Sequence, residues 1–212
     1  MRKSILPFII LSAALLVQTP FCRAQQLPER YESSPAYMQE FFNGIVSDEC
    51  EVIRETVGVG SYFGHIRNDR LFGWGSYQAE GGIQWTGMFR NGKCFFGILV
   101  RETTARVGSD DHFVEYDLES GSILRIMKGE ESLPLGEGNA SLTFGKQEYD
   151  GGDYYLGELK KGQRHGQGIY YWGNGNFWYG TFIDGYRNGY GALFVPLSNQ
   201  IFYGLWLGDT MQ

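Results

Sequence analysis

The chain has 212 residues, a formal net charge of −6, 31 glycines and an aromatic content of 16%. Its acidic balance excludes broad electrostatic attraction to nucleic acid and argues against an anionic bilayer held in the same way. Glycine at roughly twice its usual frequency, with rings in place of a Leu-rich composition, excludes a helical bundle and predicts short strands joined by tight turns.

The first element is a leader. Arg2 and Lys3 precede an apolar run from Ile5 to Val17, and small side chains stand at Cys22 and Ala24. That order predicts a secretory signal peptide over residues 1–24, cleaved after Ala24. The run is 13 residues long, short of the roughly 20 that a membrane-spanning helix needs. Phe21 stands where a lipoprotein signal wants a small residue, which disfavours lipid on Cys22. Loss of Arg2, Lys3 and Arg23 without any acid takes the net charge from −6 to −9. The mature chain is expected to be soluble and exported, either periplasmic or extracellular.

Residues 25–60 read as an N-terminal segment with one short helix. Ser33 or Ser34 is placed to cap it, Pro35 to open it, and Met38, Phe41, Phe42 and Ile45 recur at helical spacing. The helix, expected over 34–51, would cover an open sheet edge. Two cysteines outlast cleavage, Cys50 and Cys94. Export allows a disulfide between them, which would pin the helix beside the second repeat; the alternative is a pair of buried thiols.

Residues 61–100 and 154–212 carry an internal repeat. From Gly157, glycines follow at Gly162, Gly166 and Gly168, offsets of 5, 9 and 11. From Gly180 they follow at Gly185, Gly189 and Gly191, at the same offsets and 23 residues on. Gly204 is the next origin. Upstream, Gly64 is followed by Gly73 and Gly75, with Asp69 at offset 5. Gly87 comes 23 residues after Gly64 with Gly92 at offset 5, but its later glycine, Gly97, is one place out of register. Two residues before the origins stand Tyr62, Trp85, Tyr155, Trp178 and Phe202; two after stand Ile66, Phe89, Leu159, Phe182 and Trp206. Positions −2, 0 and +2 share one face of a strand. Each unit therefore opens with a strand bearing ring, glycine and apolar residue on one face, the glycine leaving room for a ring from a neighbouring strand. A turn at offset 5 leads to a second strand carrying Gly-x-Gly.

Residues 101–153 are open to two readings, degenerate repeats or a loop insertion. From Gly87 to Gly157 is the length of three units, Gly145 stands 12 before Gly157, and strand-like runs occur at 113–118, 122–127 and 141–144. Continued sheet is the favoured reading.

Tyr155-Leu156-Gly157-Glu158-Leu159 with its later glycines, and Trp178-Tyr179-Gly180-Thr181-Phe182 with its own, resemble the MORN (membrane occupation and recognition nexus) repeat; the units at Gly64 and Gly87 resemble it in part. The resemblance implies an all-β fold, an elongated single twisted sheet of successive antiparallel hairpins. It implies protein–protein or membrane-proximal attachment, and no catalytic residue.

The residues themselves offer little chemistry. His65, His112 and His165 stand alone, with no His-x-x-x-His or Cys-x-x-Cys, so neither metal nor cofactor is expected. Asp110, Asp111, Glu115 and Asp117, with Glu130 and Glu131, are acids that a glycosidase would use in pairs and that an acidic protein more often spends on solvated loops. Lys160, Lys161, Arg164 and His165 form the one compact basic patch, placed to touch phosphate or a lipid headgroup. Tyr154, Tyr171, Phe177, Tyr179 and Tyr203 alternate with the origin series and form a stripe of rings; it is either a binding patch or packing between hairpins. The leading expectation is an exported, non-enzymatic scaffold or protein-binding module, with an unknown protein or a second copy as partner. Self-association would use the free edge of a terminal strand at 202–207. The alternatives are membrane-surface binding through 160–165 and a hydrolase built on acids in 110–131. No nucleic-acid partner is expected.

Overall fold

The computed structural model describes residues 50–135 and 141–212. Sixteen strands run in antiparallel meander order: β1 (Glu51–Val57), β2 (Gly60–Arg67), β3 (Arg70–Ala79), β4 (Gln84–Arg90), β5 (Lys93–Val100), β6 (Thr104–Ser109), β7 (His112–Asp117), β8 (Ile123–Lys128), β9 (Glu131–Leu133), β10 (Leu142–Glu148), β11 (Tyr154–Lys160), β12 (Gln163–Tyr171), β13 (Phe177–Ile183), β14 (Tyr186–Val195), β15 (Gln200–Leu207) and β16 (Thr210–Met211). Among the described residues there is no α-helix, only three-residue 3-10 turns. The leader and the helix expected over 34–51 fall outside the described residues, apart from Cys50 and from Glu51, which opens β1.

The single ribbon is corrected to two sheets, β1 to β9 and β10 to β16. The stretch 101–153 supplies strands to both. The division falls after β9, which is three residues long and is followed by Pro134, a residue with no N–H to give to a ladder.

Each glycine of the repeat has its own task, and the unit at Gly157 shows all four. Gly157 pairs with Gly168, so offsets 0 and 11 face each other across the hairpin. The same register runs through β10 to β15 of the second sheet as Gly145, Gly157, Gly168, Gly180, Gly191 and Gly204, and through β2 to β6 of the first as Gly64, Gly75, Gly87, Gly97 and Gly108. The glycine at offset 5 completes a two-residue turn, with Lys161 at φ 52 and Gly162 at φ 77, the left-handed pair that matches strand twist. The glycine at offset 9 sits in a bulge: β11 steps from Gly157 to Leu159 while β12 steps from Gly168 to Arg164, and Gly166 takes φ 61. The irregular unit now has a cause. From Met88 to Phe89 the opposite strand steps only from Phe96 to Cys94, one surplus residue instead of two, so Gly97 arrives one place early.

In three hairpins one ring fills the room above a pair of ladder glycines, reaching from the origin glycine of its own strand to the offset-11 glycine of the neighbouring strand. Tyr155 folds back over Gly157 and across to Gly168, and its hydroxyl donates to the Glu158 carbonyl at 2.7 Å. Tyr62 repeats this over Gly64 and Gly75, donating to the His65 carbonyl at 2.8 Å, and Trp178 lies over Gly180 and Gly191. On this outer face each sheet holds its own aromatic cluster: Tyr62, Trp85 and Phe89 on the first, and Tyr155, Trp178, Phe182 and Trp206 on the second. Burial of each ring is worth on the order of 2 kcal/mol.

The opposite faces of the two sheets meet. Trp74 packs edge-on against Tyr179 at 5.8 Å, Phe63 against Phe194 at 6.0 Å and His65 against Tyr203 at 5.5 Å. Ile98, Val107, Val114 and Ile126 are buried in the same row of the first sheet. Polar groups join across as well: Gln84 donates to Tyr171, Tyr116 donates to Glu158 at 2.5 Å, and Asn199 donates to the Val52 carbonyl at 2.9 Å.

Candidate functional site

The strongest concentration of accessible chemistry is the outer face of the second sheet. Arg164 and Arg187 occupy the same place, offset 7, in consecutive units. Arg164 lies over the rings of Tyr170 at 5.3 Å, Phe182 at 5.5 Å and Tyr149 at 5.7 Å. Arg187 lies over Trp206 at 4.5 Å, Trp172 at 5.7 Å and Trp178 at 6.0 Å. Tyr149 stacks on Tyr170, and Tyr170 leans on Trp172, so rings and guanidiniums alternate across the face. Tyr149 is 40% exposed. Asp153 fixes the upper end, accepting from the Tyr170 hydroxyl and from the Gly173 N–H, both at 2.9 Å.

The arginines are positioned by a contact that recurs from unit to unit. The N–H at offset 5 of one unit donates to the carbonyl at offset 7 of the unit before: Gly92 to Leu71, Gly185 to Arg164 and Asp209 to Arg187, at 2.9, 2.9 and 3.1 Å. At Arg187 the offset-5 residue has a carboxylate. Asp209 Oδ1 accepts from both Nε and the backbone N–H of Arg187 at 2.9 Å, and the Asp209 carbonyl accepts from Nη2 at 3.1 Å. Partial burial pushes the Asp209 carboxyl up, but the Arg187 backbone N–H and guanidinium, helped by the charge of Arg164, prevail and hold it below the usual range.

The predicted basic patch is only partly assembled. Lys160 and Lys161 are exposed at the β11–β12 turn, whereas Arg164 is half-buried on the rings and His165 lies 3.8 Å from Asp184. The ring stripe is packed, against the other sheet: Tyr179 is fully buried against Trp74, Tyr203 meets His65, and Tyr171 receives the Gln84 amide, so Tyr171, Tyr179 and Tyr203 all face the first sheet and do not form an open binding patch. Sequence alternation assigned these rings to one face correctly and could not know that a second sheet covers it. The disulfide is corrected. Cys50 and Cys94 are both thiols, and burial, followed by the Asp110 charge, pushes Cys94 up to about 12. The terminal edge is not wholly open, because β16 pairs with Trp206 and Leu207 of β15.

Two of the acids of 110–131, Glu115 and Asp117, have structural partners. Glu115 sits between Arg106 at 2.7 Å and Arg125 at 2.5 Å; burial pushes its carboxyl up, but the two guanidiniums prevail and hold it below the usual range. Asp117 accepts from the N–H and hydroxyl of Ser120 at 2.7 Å, closing the β7–β8 turn. Sequence reasoning missed Arg187, Asp209, Tyr149 and Trp172. The signal was present in part: an arginine at offset 7 appears in both strong units, but the alternation of rings with guanidiniums depends on side chains reaching across strands.

The fold and this face define a class, the antiparallel β-repeat proteins in which a ring over a glycine ladder is the recurring unit. The MORN repeat family model matches residues 155–177 and 178–193, so the second sheet carries MORN repeats there. No curated protein matches it.

Proposed function

We propose that this chain is an exported, non-enzymatic MORN repeat module that binds a protein partner on the outer face of its second sheet. One observation carries the reading: the two matched repeats, with Tyr149 just before them, bring Arg164, Arg187, Tyr149, Tyr170 and Trp172 into one accessible run of rings and guanidiniums. Aromatic residues and arginine are the side chains that dominate protein interfaces, since each combines a large apolar area with a few directed hydrogen bonds. The leader-like residues 1–24 support export. The pairing of Glu115 with two guanidiniums disfavours the hydrolase alternative, because a carboxyl held low is a poor proton donor.

The membrane-surface alternative keeps one feature, the exposed Lys160–Lys161 turn. A single comparison tests both. The mature chain is used to capture partners, beside a Tyr149→Ala/Arg164→Gln variant and a Lys160→Ser/Lys161→Ser variant, with co-sedimentation on phosphatidylglycerol vesicles run in parallel. A partner protein retained by the lysine variant and lost by the face variant is the expected result. Vesicle binding lost with the lysines, and no partner lost with the face, would replace this reading with the membrane one.

A further inference from the structure

The two arginines at offset 7 share their place in the repeat and differ in their carboxylate partner. Both lie over three rings, and both receive through their carbonyl the N–H of the next unit's offset-5 residue. For Arg187 that residue is Asp209, whose carboxylate takes Nε while its backbone carbonyl takes Nη2. For Arg164 it is Gly185, which has no side chain to offer. The neighbouring acid does not substitute for it, since Asp184 turns to His165 and its side chain is 79% exposed. Among the described residues no carboxylate pairs with Arg164.

The empty place is also open. A Cβ built on Gly185 meets nothing within 4 Å, and the same holds at Gly162 in the turn beside it. Backbone geometry does not distinguish the two turns: Asp184 and Gly185 have φ 48 and 89, Gly208 and Asp209 have φ 55 and 71. The chain thus contains both a filled and an unfilled version of one receptor. Beside the unfilled one stands the exposed ring of Tyr149, 5.7 Å from the Arg164 guanidinium. A guanidinium whose stacking on rings fixes its plane is prepared for a two-pronged carboxylate, and little side-chain freedom is lost when one arrives.

We propose that Arg164 is the receptor for a carboxylate of the protein partner, an Asp or Glu side chain that enters beside Gly185 and takes the place Asp209 takes at Arg187. The proposal rests on the protein-binding reading above and names the chemistry of its anchor. A peptide carboxylate is favoured over a lipid phosphate because the filled copy of the site holds a carboxylate, and because the receptor lies among rings on the sheet face.

The test supplies the missing carboxylate from within. Gly185→Asp copies Asp209 onto an equivalent turn and should occupy Arg164 permanently; Gly185→Asn has the same shape without the charge and keeps the test valid if bulk alone disturbs the turn. The probe is an amidated Gly-Ser decapeptide containing an Asp-Asp pair, against the same peptide with Asn-Asn, titrated into the full chain while the Arg164 Nε–H signal is followed by NMR. The expected result is at least a tenfold preference for the Asp peptide in the wild type and in Gly185→Asn, abolished in Gly185→Asp and in Arg164→Gln. Equal affinity for the two peptides, or a preference that survives Gly185→Asp, overturns the proposal. So does a stronger Arg164 response to inorganic phosphate than to the Asp peptide. The failures separate cleanly: a captured partner lost with the Tyr149→Ala/Arg164→Gln variant but indifferent to Gly185→Asp would leave the protein-binding reading standing and remove only its carboxylate anchor.

Discussion

The glycine ladder makes a prediction that pits one repeat position against itself. Gly168 and Gly204 both belong to the ladder of the second sheet, and neither has a positive φ, so an alanine is equally welcome to the backbone at both. Their surroundings differ. A Cβ at Gly168 would intrude on the Tyr155 ring, with Cζ at 2.5 Å. That ring is fully buried, tied by its hydroxyl to the Glu158 carbonyl, and braced by Phe182 at 5.0 Å, so it cannot step aside. Overpacking costs about 1–3 kcal/mol, and breaking the hydroxyl bond adds about 1 kcal/mol. Gly168→Ala should therefore lose about 3 kcal/mol, a fall in Tm on the order of 10 °C for a domain of this size. A Cβ at Gly204 meets only the flexible Met211 side chain, at 3.6 Å, an ordinary contact. Gly204→Ala should be neutral or stabilise by up to about 0.5 kcal/mol through the unfolded chain. Thermal melts of the two variants beside the wild type decide the matter. Equal shifts at the two positions would refute the claim that the ring, and not strand propensity, is what the ladder glycines serve.

Two further predictions concern acid. Burial lowers His65 from its ordinary value to about 4, against a weaker opposing pull from the Trp74 carbonyl. The folded state therefore prefers the neutral ring, and stability is complete above about pH 6.5 and falls as the pH drops from there towards 4, by ~3 kcal/mol in all. His65→Gln should flatten that part of a denaturant-midpoint profile, and an unchanged slope in the variant would show that another group controls it. Glu115 is held below the usual carboxylate range, so its contribution is present above that range and is lost as pH falls through it. Because Arg125 is 45% exposed, screening limits the effect; Glu115→Gln should cost ~1 kcal/mol at neutral pH and less in high salt, measured by urea unfolding.

The amino-acid sequence by itself determined the repeat. The offsets 0, 5, 9 and 11 correspond to a ladder pair, a left-handed turn and a bulge, all decided within one hairpin by steric demands that only glycine or a turn residue meets. The misplaced Gly97 was legible as an anomaly, and its cause, a bulge shorter by one residue, is local as well. Alternation also assigned Tyr171, Tyr179 and Tyr203 to a common face. What covers that face was decided only by the tertiary structure. A strand's periodicity records which side chains share a side, but not whether water, a ligand or another sheet lies opposite. Trp74 and His65 come to Tyr179 and Tyr203 from more than a hundred residues away, after Pro134 has ended one sheet and a second has begun. The pairing of Arg187 with Asp209 spans only 22 residues, but it depends on a side chain reaching into the next unit's turn, and so does the contrast that singles out Arg164.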